Sequence, residues 1–198
     1  MCHPPLTPLH TEAKNTPAIH STQDDNLKFC ASNELQRSTN VALEKAVFGA
    51  GCFWGVEARF DELNGVIDTA AGYAGGDLEH PTYKEVCTDR TGHAEVVQVT
   101  FDNSRLTFDQ LLDTFFALHD PTQVNRQGPD WGSQYRSVIF CLSDQQATQA
   151  RARIAELNAS GTYRLPIATQ VLNAPTFWKA EEYHQKYLEK RGMVSCHI

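Results

Sequence analysis

The sequence of 198 residues is short of positive charge, of long apolar runs and of paired cysteine motifs, and each shortage excludes a class of protein. Lys and Arg total 17 against 24 Asp and Glu, a formal net charge of -7, with no basic run to offset it. An electrostatic grip on nucleic acid is therefore not expected. No stretch approaches the roughly 18 apolar residues that a membrane-spanning helix needs. The N-terminal "MCHPPLTPLH" has neither a charged leader nor an apolar stretch behind it, so an unexported, cytoplasmic chain with no membrane partner is expected. The six cysteines, at 2, 30, 52, 87, 141 and 196, are irregularly spaced and form no C-x-x-C. Disulfide stapling is then not expected, and Cys2-His3 and Cys196-His197 have no second pair at ligand spacing for a zinc site. There is no internal repeat, and the length suits one domain with some surplus.

The surplus is N-terminal. Residues 1–40 are rich in Thr, Asn, Pro, Ser and Gln, with too few apolar residues at any regular period to pack, and read as a mobile arm. A single domain is expected over 41–198, ending in a mobile tail from about residue 189. "KAVFGAG" reads as a strand, followed by a helix whose apolar positions Phe53, Val56, Phe60 and Leu63 recur at helical spacing, with Cys52 at its start. "GVIDTAAGYAGG", "HAEVVQVTFD", "YRSVIFCLS" and "RLPIATQVL" read as further strands. "PTYKEVCTDRTG" reads as a short helix or turn opened by Pro81. Two longer helices carry capping-box signatures, Thr107 with Gln110 and Ser143 with Gln146. Leu106 and Leu111 are placed as a hydrophobic staple for the first, and Gly161 terminates the second. "TFWKAEEYHQKYLEKRG" reads as a last helix, and "PTQVNRQGPDWGSQY" as a long loop of the kind that carries function. This order predicts an α+β fold, a two-layer α/β sandwich of ferredoxin-like (split βαβ) type around a mixed sheet.

Most cysteines are small buried hydrophobes, and Cys87 and Cys141 fit that reading. Cys52 does not, because it stands where a glycine-flanked strand meets a helix N-terminus, a place that favours an anion. A lowered thiol pKa is expected there, and since a helix end supplies only about 0.3–1 kcal/mol, hydrogen-bond donors such as tyrosine hydroxyls would have to supply the rest. Phe53 and Trp54 read either as core at the head of the helix or as walls of an apolar pocket. In "HAEVVQVTF", alternation puts Glu95 on one face with Val97, Val99 and Phe101. A carboxyl on an apolar face has a raised pKa and can donate a proton, unless it is instead paired with an arginine.

Six strings in unbroken order over residues 47 to about 197 carry a resemblance. They are "GCFWG", "GYAGG", "PTYKEVC", "TGHAEVV", "HDPTQVNRQGPDWGSQYRS" and "FWKAEEYHQKYL", and together they resemble the peptide methionine sulfoxide reductases of the A class. The resemblance implies that Cys52 attacks the sulfur of methionine S-sulfoxide, free or protein-bound, and becomes a sulfenic acid. It implies that Glu95 protonates the sulfoxide oxygen, that Tyr83 and Tyr135 hydrogen-bond it, and that Phe53, Trp54 and Asp130 bind substrate. His184, in the last string, would be structural or pocket-lining. The family's recycling step implies Cys196 as resolving thiol, a Cys52–Cys196 disulfide, and thioredoxin as reductant. No cofactor or metal is implied, and a monomer is expected. Two other readings compete: a cysteine hydrolase, which needs a histidine beside Cys52, and a peptide-binding module, which leaves Glu95 without a purpose.

Overall fold

The computed structural model describes residues 42–193. The expected arm over 1–40, with Cys2 and Cys30, and the end of the tail, with Cys196, lie outside the described residues. The elements run β1 (Leu43–Ala50), α1 (Phe53–Asp61), β2 (Val66–Ala74), α2 (Tyr83–Val86), β3 (Ala94–Asp102), α3 (Phe108–Ala117), β4 (Arg126–Gln127), β5 (Asp130–Trp131), β6 (Ser137–Cys141), α4 (Asp144–Ser160), β7 (Gln170–Asn173) and β8 (Trp178–Lys179). The main sheet has the order β7-β6-β1-β3-β2-β8. Only β6 and β7 pair in parallel; the other ladders are antiparallel. The sheet is thus mixed, and its centre is two split βαβ halves, β1-α1-β2 and β3-α3-β6, as the element pattern predicts.

The alternation of side chains sorts the sheet into two faces. Ala46, Phe48 and Ala50 of β1, Ala71 and Tyr73 of β2, and Val97, Val99 and Phe101 of β3 share one core with Phe53, Val56 and Phe60 of α1 and with Leu111, Leu112 and Phe115 of α3. Phe48 is its hub, stacking on Phe60, Phe115 and Phe108 at 4.9, 5.2 and 6.0 Å between ring centroids. The opposite parity, Val47, Ala74, Ala94, Val96, Val138 and Phe140, forms a smaller core closed by Ala174 and Phe177. Helices therefore cover one face, giving two layers.

The caps explain where α3 and α4 begin. Thr107 accepts the Gln110 N–H while the Gln110 side chain accepts the Thr107 N–H, a complete capping box, with Leu106 and Leu111 both buried beside it. At α4 the box is half made. Ser143 accepts the Gln146 N–H, but the Gln146 side chain turns away to the Leu142 N–H and the Lys45 carbonyl, tying the helix to the sheet. Gly161 closes α4 with φ of 67°.

Two expected elements are replaced. The segment read as a strand over 164–172 is one only at Gln170–Asn173. Its earlier amides go elsewhere, Ile167 to the Asn158 side chain and Ala168 to the Pro121 carbonyl. The segment read as the last helix is not helical: Trp178–Lys179 adds a short edge strand to β2, and tight turns lead to a 3-10 turn at Glu189–Arg191. Tertiary partners outweigh helical propensity here. The Gln185 side chain accepts the Ala71 N–H at 3.0 Å and donates to the carbonyls of Ala71 and Ala180. The Lys186 N–H donates to Glu57 at 2.7 Å, with Lys186 itself left-handed at φ 51°. Phe177 lies so close to Gly72 that a Cβ there would meet its ring at 2.4 Å. The long loop over 121–135 contains the β4–β5 hairpin and a 3-10 turn at Ser133–Tyr135.

Gln185 is thus a side chain acting as a strand partner. Gln185→Leu keeps the volume but leaves buried backbone groups without partners, so it should lower unfolding free energy by about 2–4 kcal/mol, read from urea midpoints. A change below about 0.5 kcal/mol would mean that water takes over those bonds.

Candidate active site

The site is built where β1 turns into α1. Gly51, with φ of 95°, makes the turn. Cys52 follows as the N-cap of α1, and no side chain caps that end. The first amides of the helix have no carbonyl partner within it and remain for other acceptors. The Phe53 N–H donates to Glu95 Oε2 at 3.1 Å, and the backbone amides of Trp54 and Gly55 favour the thiolate of Cys52 without capping it. A thiol and a carboxyl therefore meet at one helix terminus.

Glu95 is 1% exposed and stands on the helix face of β3 among Val97, Val99 and Phe101, as strand alternation requires. Burial raises its pKa to about 8; the Phe53 N–H works against that rise, and Asp130 adds to it. No arginine pairs with it among the described ion pairs. At neutral pH the carboxyl is largely protonated.

The expectation for the thiol is overturned. The helix terminus was expected to lower the Cys52 pKa, but burial and then the Glu95 carboxylate push it up to about 12, Asp130 adding to them against the Trp54 and Gly55 amides. Two amides at a helix end are a smaller effect than desolvation plus a neighbouring anion. The coupling has a consequence. Each anion opposes the other, so a thiolate forms most readily while Glu95 keeps its proton.

The remaining predicted residues gather around this pair. Phe53 is buried, its ring 5.8 Å from Tyr73 and 6.4 Å from Tyr83, so it is core and site wall at once. Trp54 is half-buried; Tyr187 stacks on it at 3.7 Å, and its Nε1–H donates to His184 Nδ1 at 2.9 Å. His184 is buried, against Phe53 and Tyr83, and burial keeps its pKa below the ordinary histidine value. Tyr83 opens α2 and Tyr135 closes the 3-10 turn. Both hydroxyls have raised pKa values, by burial first; next comes a hydrogen bond to Cys87 for Tyr83 and the Glu95 carboxylate for Tyr135. They stay protonated and able to donate. The expected tyrosine bond to the Cys52 sulfur is absent among the described contacts. Asp130, on β5, is close enough to raise Cys52, Glu95 and Tyr135 together. Cys141 is buried, but Cys87 is exposed, against expectation, because it caps the C-terminus of the one-turn helix α2 rather than packing beneath it.

Three participants were not singled out from the sequence. Tyr73 stands opposite Glu95 in the β2–β3 register. Glu181 accepts from Tyr73 and from the α2 terminus. Asp89 accepts both the N–H and the hydroxyl of Ser133, fastening the Tyr135 turn to the end of α2. The six strings contain Tyr73 and Glu181 but not Asp89, and only the contacts separate them from their neighbours.

A thiol at a helix N-terminus beside a neutral buried carboxyl, in an α+β sandwich, fits the class of cysteine-dependent redox enzymes better than that of histidine-assisted hydrolases. The family model described as peptide methionine sulfoxide reductase matches residues 44–198. The peptide methionine sulfoxide reductase of Acidobacterium capsulatum is 64% identical over 156 residues, which cover 79% of this chain and 100% of that relative. Among solved structures, reduced Mxr1 from Saccharomyces cerevisiae is 36% identical with a TM-score of 0.73, and the match covers 78% of this chain and 89% of that one. The same yeast protein in complex with Trx2 is 28% identical with a TM-score of 0.53, over 73% of this chain and 84% of that one. The chain belongs to the peptide methionine sulfoxide reductase family.

The Glu95 pKa carries a stability consequence with a definite sign. Its folded value, about 8, lies above the ordinary 4.5, so the folded state holds the proton more tightly. The stability this contributes is complete below 4.5 and is lost as pH rises to 8, at about 1.4 kcal/mol per unit. Glu95→Gln removes the dependence. The difference in unfolding free energy between variant and wild type should move in the variant's favour from pH 4.5 to 8 and then level off. A difference independent of pH would mean that Glu95 ionises normally.

Proposed function

We propose that this chain reduces methionine S-sulfoxide, in proteins or free, to methionine, with Cys52 as nucleophile, Glu95 as proton donor and thioredoxin as final reductant. The observation that carries the reading is the pairing at the α1 terminus of a thiol with a buried carboxyl whose pKa is raised to about 8. An oxide ion is a poor leaving group, so breaking the S–O bond needs a proton at the oxygen as the thiolate arrives at sulfur. Glu95 supplies it, and Tyr83 and Tyr135 donate hydrogen bonds to the same oxygen. Phe53 and Trp54 enclose the S-methyl group in an apolar wall, and Asp130 orients the substrate.

Methionine leaves and the Cys52 sulfur holds the oxygen as sulfenic acid. Cys196 then attacks that sulfur, water departs with the oxygen, and a Cys52–Cys196 disulfide remains for a thioredoxin dithiol to reduce. The complex of the yeast relative with Trx2 supports that last partner. The catalytic domain spans 41–198, with 1–40 an arm outside it, in keeping with a family match that begins at residue 44. The cytoplasm, where thiols are kept reduced, suits the cycle, and no helix among the described residues is long and apolar enough to cross a membrane.

The test counts methionine formed from a methionine S-sulfoxide peptide by reduced protein, with and without a thioredoxin system. Wild type should form about one equivalent alone and turn over repeatedly with thioredoxin, since one thiolate performs one reduction. Cys52→Ser should form none. Cys196→Ser should still form its equivalent but fail to turn over with thioredoxin. Methionine from the Cys52 variant would overturn the nucleophile, and full turnover by the Cys196 variant would overturn the resolving step.

A further inference from the structure

Helix α2 has four residues, too few to hold its own direction, so the place of Tyr83 depends on what fastens that turn. One fastening is local: Thr82 and Glu85 close a capping box. The other comes from 98 residues further along the chain, where Glu181 Oε1 accepts the Tyr83 N–H at 2.9 Å. The second oxygen of the same carboxylate accepts the Tyr73 hydroxyl, also at 2.9 Å. Tyr73 is wholly buried and stands opposite Glu95 in the β2–β3 ladder. The ring of Phe53 lies against both tyrosines. A continuous chain of contacts thus runs from the strand pair holding Glu95, through Tyr73 and Glu181, to the backbone of Tyr83.

We propose that Glu181 is a positioning residue for the reduction: its two oxygens bind the Tyr73 hydroxyl and the α2 terminus, and so fix the Tyr83 hydroxyl relative to the Glu95 carboxyl. This rests on the reading of Tyr83 and Glu95 as partners of the sulfoxide oxygen. The carboxylate form suits the task because both of its partners are donors. Although burial opposes it, the Tyr83 N–H, its own N–H and the Tyr73 hydroxyl hold the Glu181 pKa below the ordinary carboxylate value. A glutamine there can present one oxygen only, and its amide nitrogen cannot accept an N–H. The strap after β8 adopts its irregular course in part to deliver this side chain: Gln185 and Lys186 fix the turn that follows it.

The test is a set of single-turnover rates, as methionine formed per reduced protein over time, for wild type, Glu181→Gln, Tyr73→Phe, Tyr83→Phe and the double variant Glu181→Gln/Tyr83→Phe. Misplacing a group that contacts the reacting oxygen should slow Glu181→Gln by about 5- to 50-fold, while the substrate concentration for half-maximal rate changes less than about 3-fold. Tyr73→Phe, which removes one hydroxyl and keeps the ring, should fall the same way; it carries the comparison if Glu181→Gln folds poorly. The double variant should be no slower than Tyr83→Phe, because the hydroxyl being positioned is already gone. A slow Tyr83→Phe whose defect multiplies with that of Glu181→Gln overturns the role of Glu181 and leaves that of Tyr83 standing. A Tyr83→Phe rate equal to wild type removes both.

Discussion

The hydrogen bond from the Phe53 N–H to the Glu95 carboxyl, 3.1 Å long, is the joint on which the site depends. It binds the first turn of α1 to the middle strand pair, and so sets the separation of Cys52 from Glu95. It exists because the first amides of a helix have no carbonyl partner within it, which leaves the Phe53 N–H free to meet the carboxyl. A serine or aspartate at the cap would satisfy an amide locally and gain helix stability. The cysteine there makes no such bond, and the Phe53 amide goes to the carboxyl.

From that joint follow the electrostatics. Burial raises both groups, Glu95 to about 8 and, together with the Glu95 carboxylate, Cys52 to about 12, so that the thiol is relieved when Glu95 is neutral. The proposed reaction needs the opposite of what the isolated acidities give: a thiolate beside a protonated carboxyl. In the proposed reaction the reactive form of the pair keeps one proton, on Glu95, and the sulfoxide oxygen, with Tyr83 and Tyr135 as its proposed hydrogen-bond donors, is where that proton would be delivered. No cation enters among the causes of either shift. The thiolate is stabilised by backbone amides and by the neutrality of its neighbour.

The parts of this account that follow from short-range pattern were legible in the sequence. Alternation put Glu95 on the apolar face of its strand, Thr107 with Gln110 marked the start of α3, and glycine before Cys52 marked the turn into α1. What was hidden depends on partners distant along the chain. The 176–192 segment was read as a helix, yet Gln185, Lys186 and His184 bind Ala71, Glu57 and Trp54, more than 100 residues away, and those bonds replace the helix. The direction of the Cys52 shift was misread for the same reason, since a helix terminus is visible in sequence while the desolvation and the carboxylate from β3 that exceed it are not. Gln146 likewise has the spacing of a capping residue but serves the sheet.

The central claim is that Cys52 and Glu95 titrate as a coupled pair, and the most direct measurement is the pH dependence of Cys52 alkylation in wild type and in Glu95→Gln, followed by mass spectrometry of the peptide that contains it. The account predicts that wild-type reactivity is still rising above pH 9, with the variant's midpoint displaced downward because no carboxylate can form beside the sulfur. An identical midpoint in both proteins, or a wild-type midpoint near 7, would contradict it.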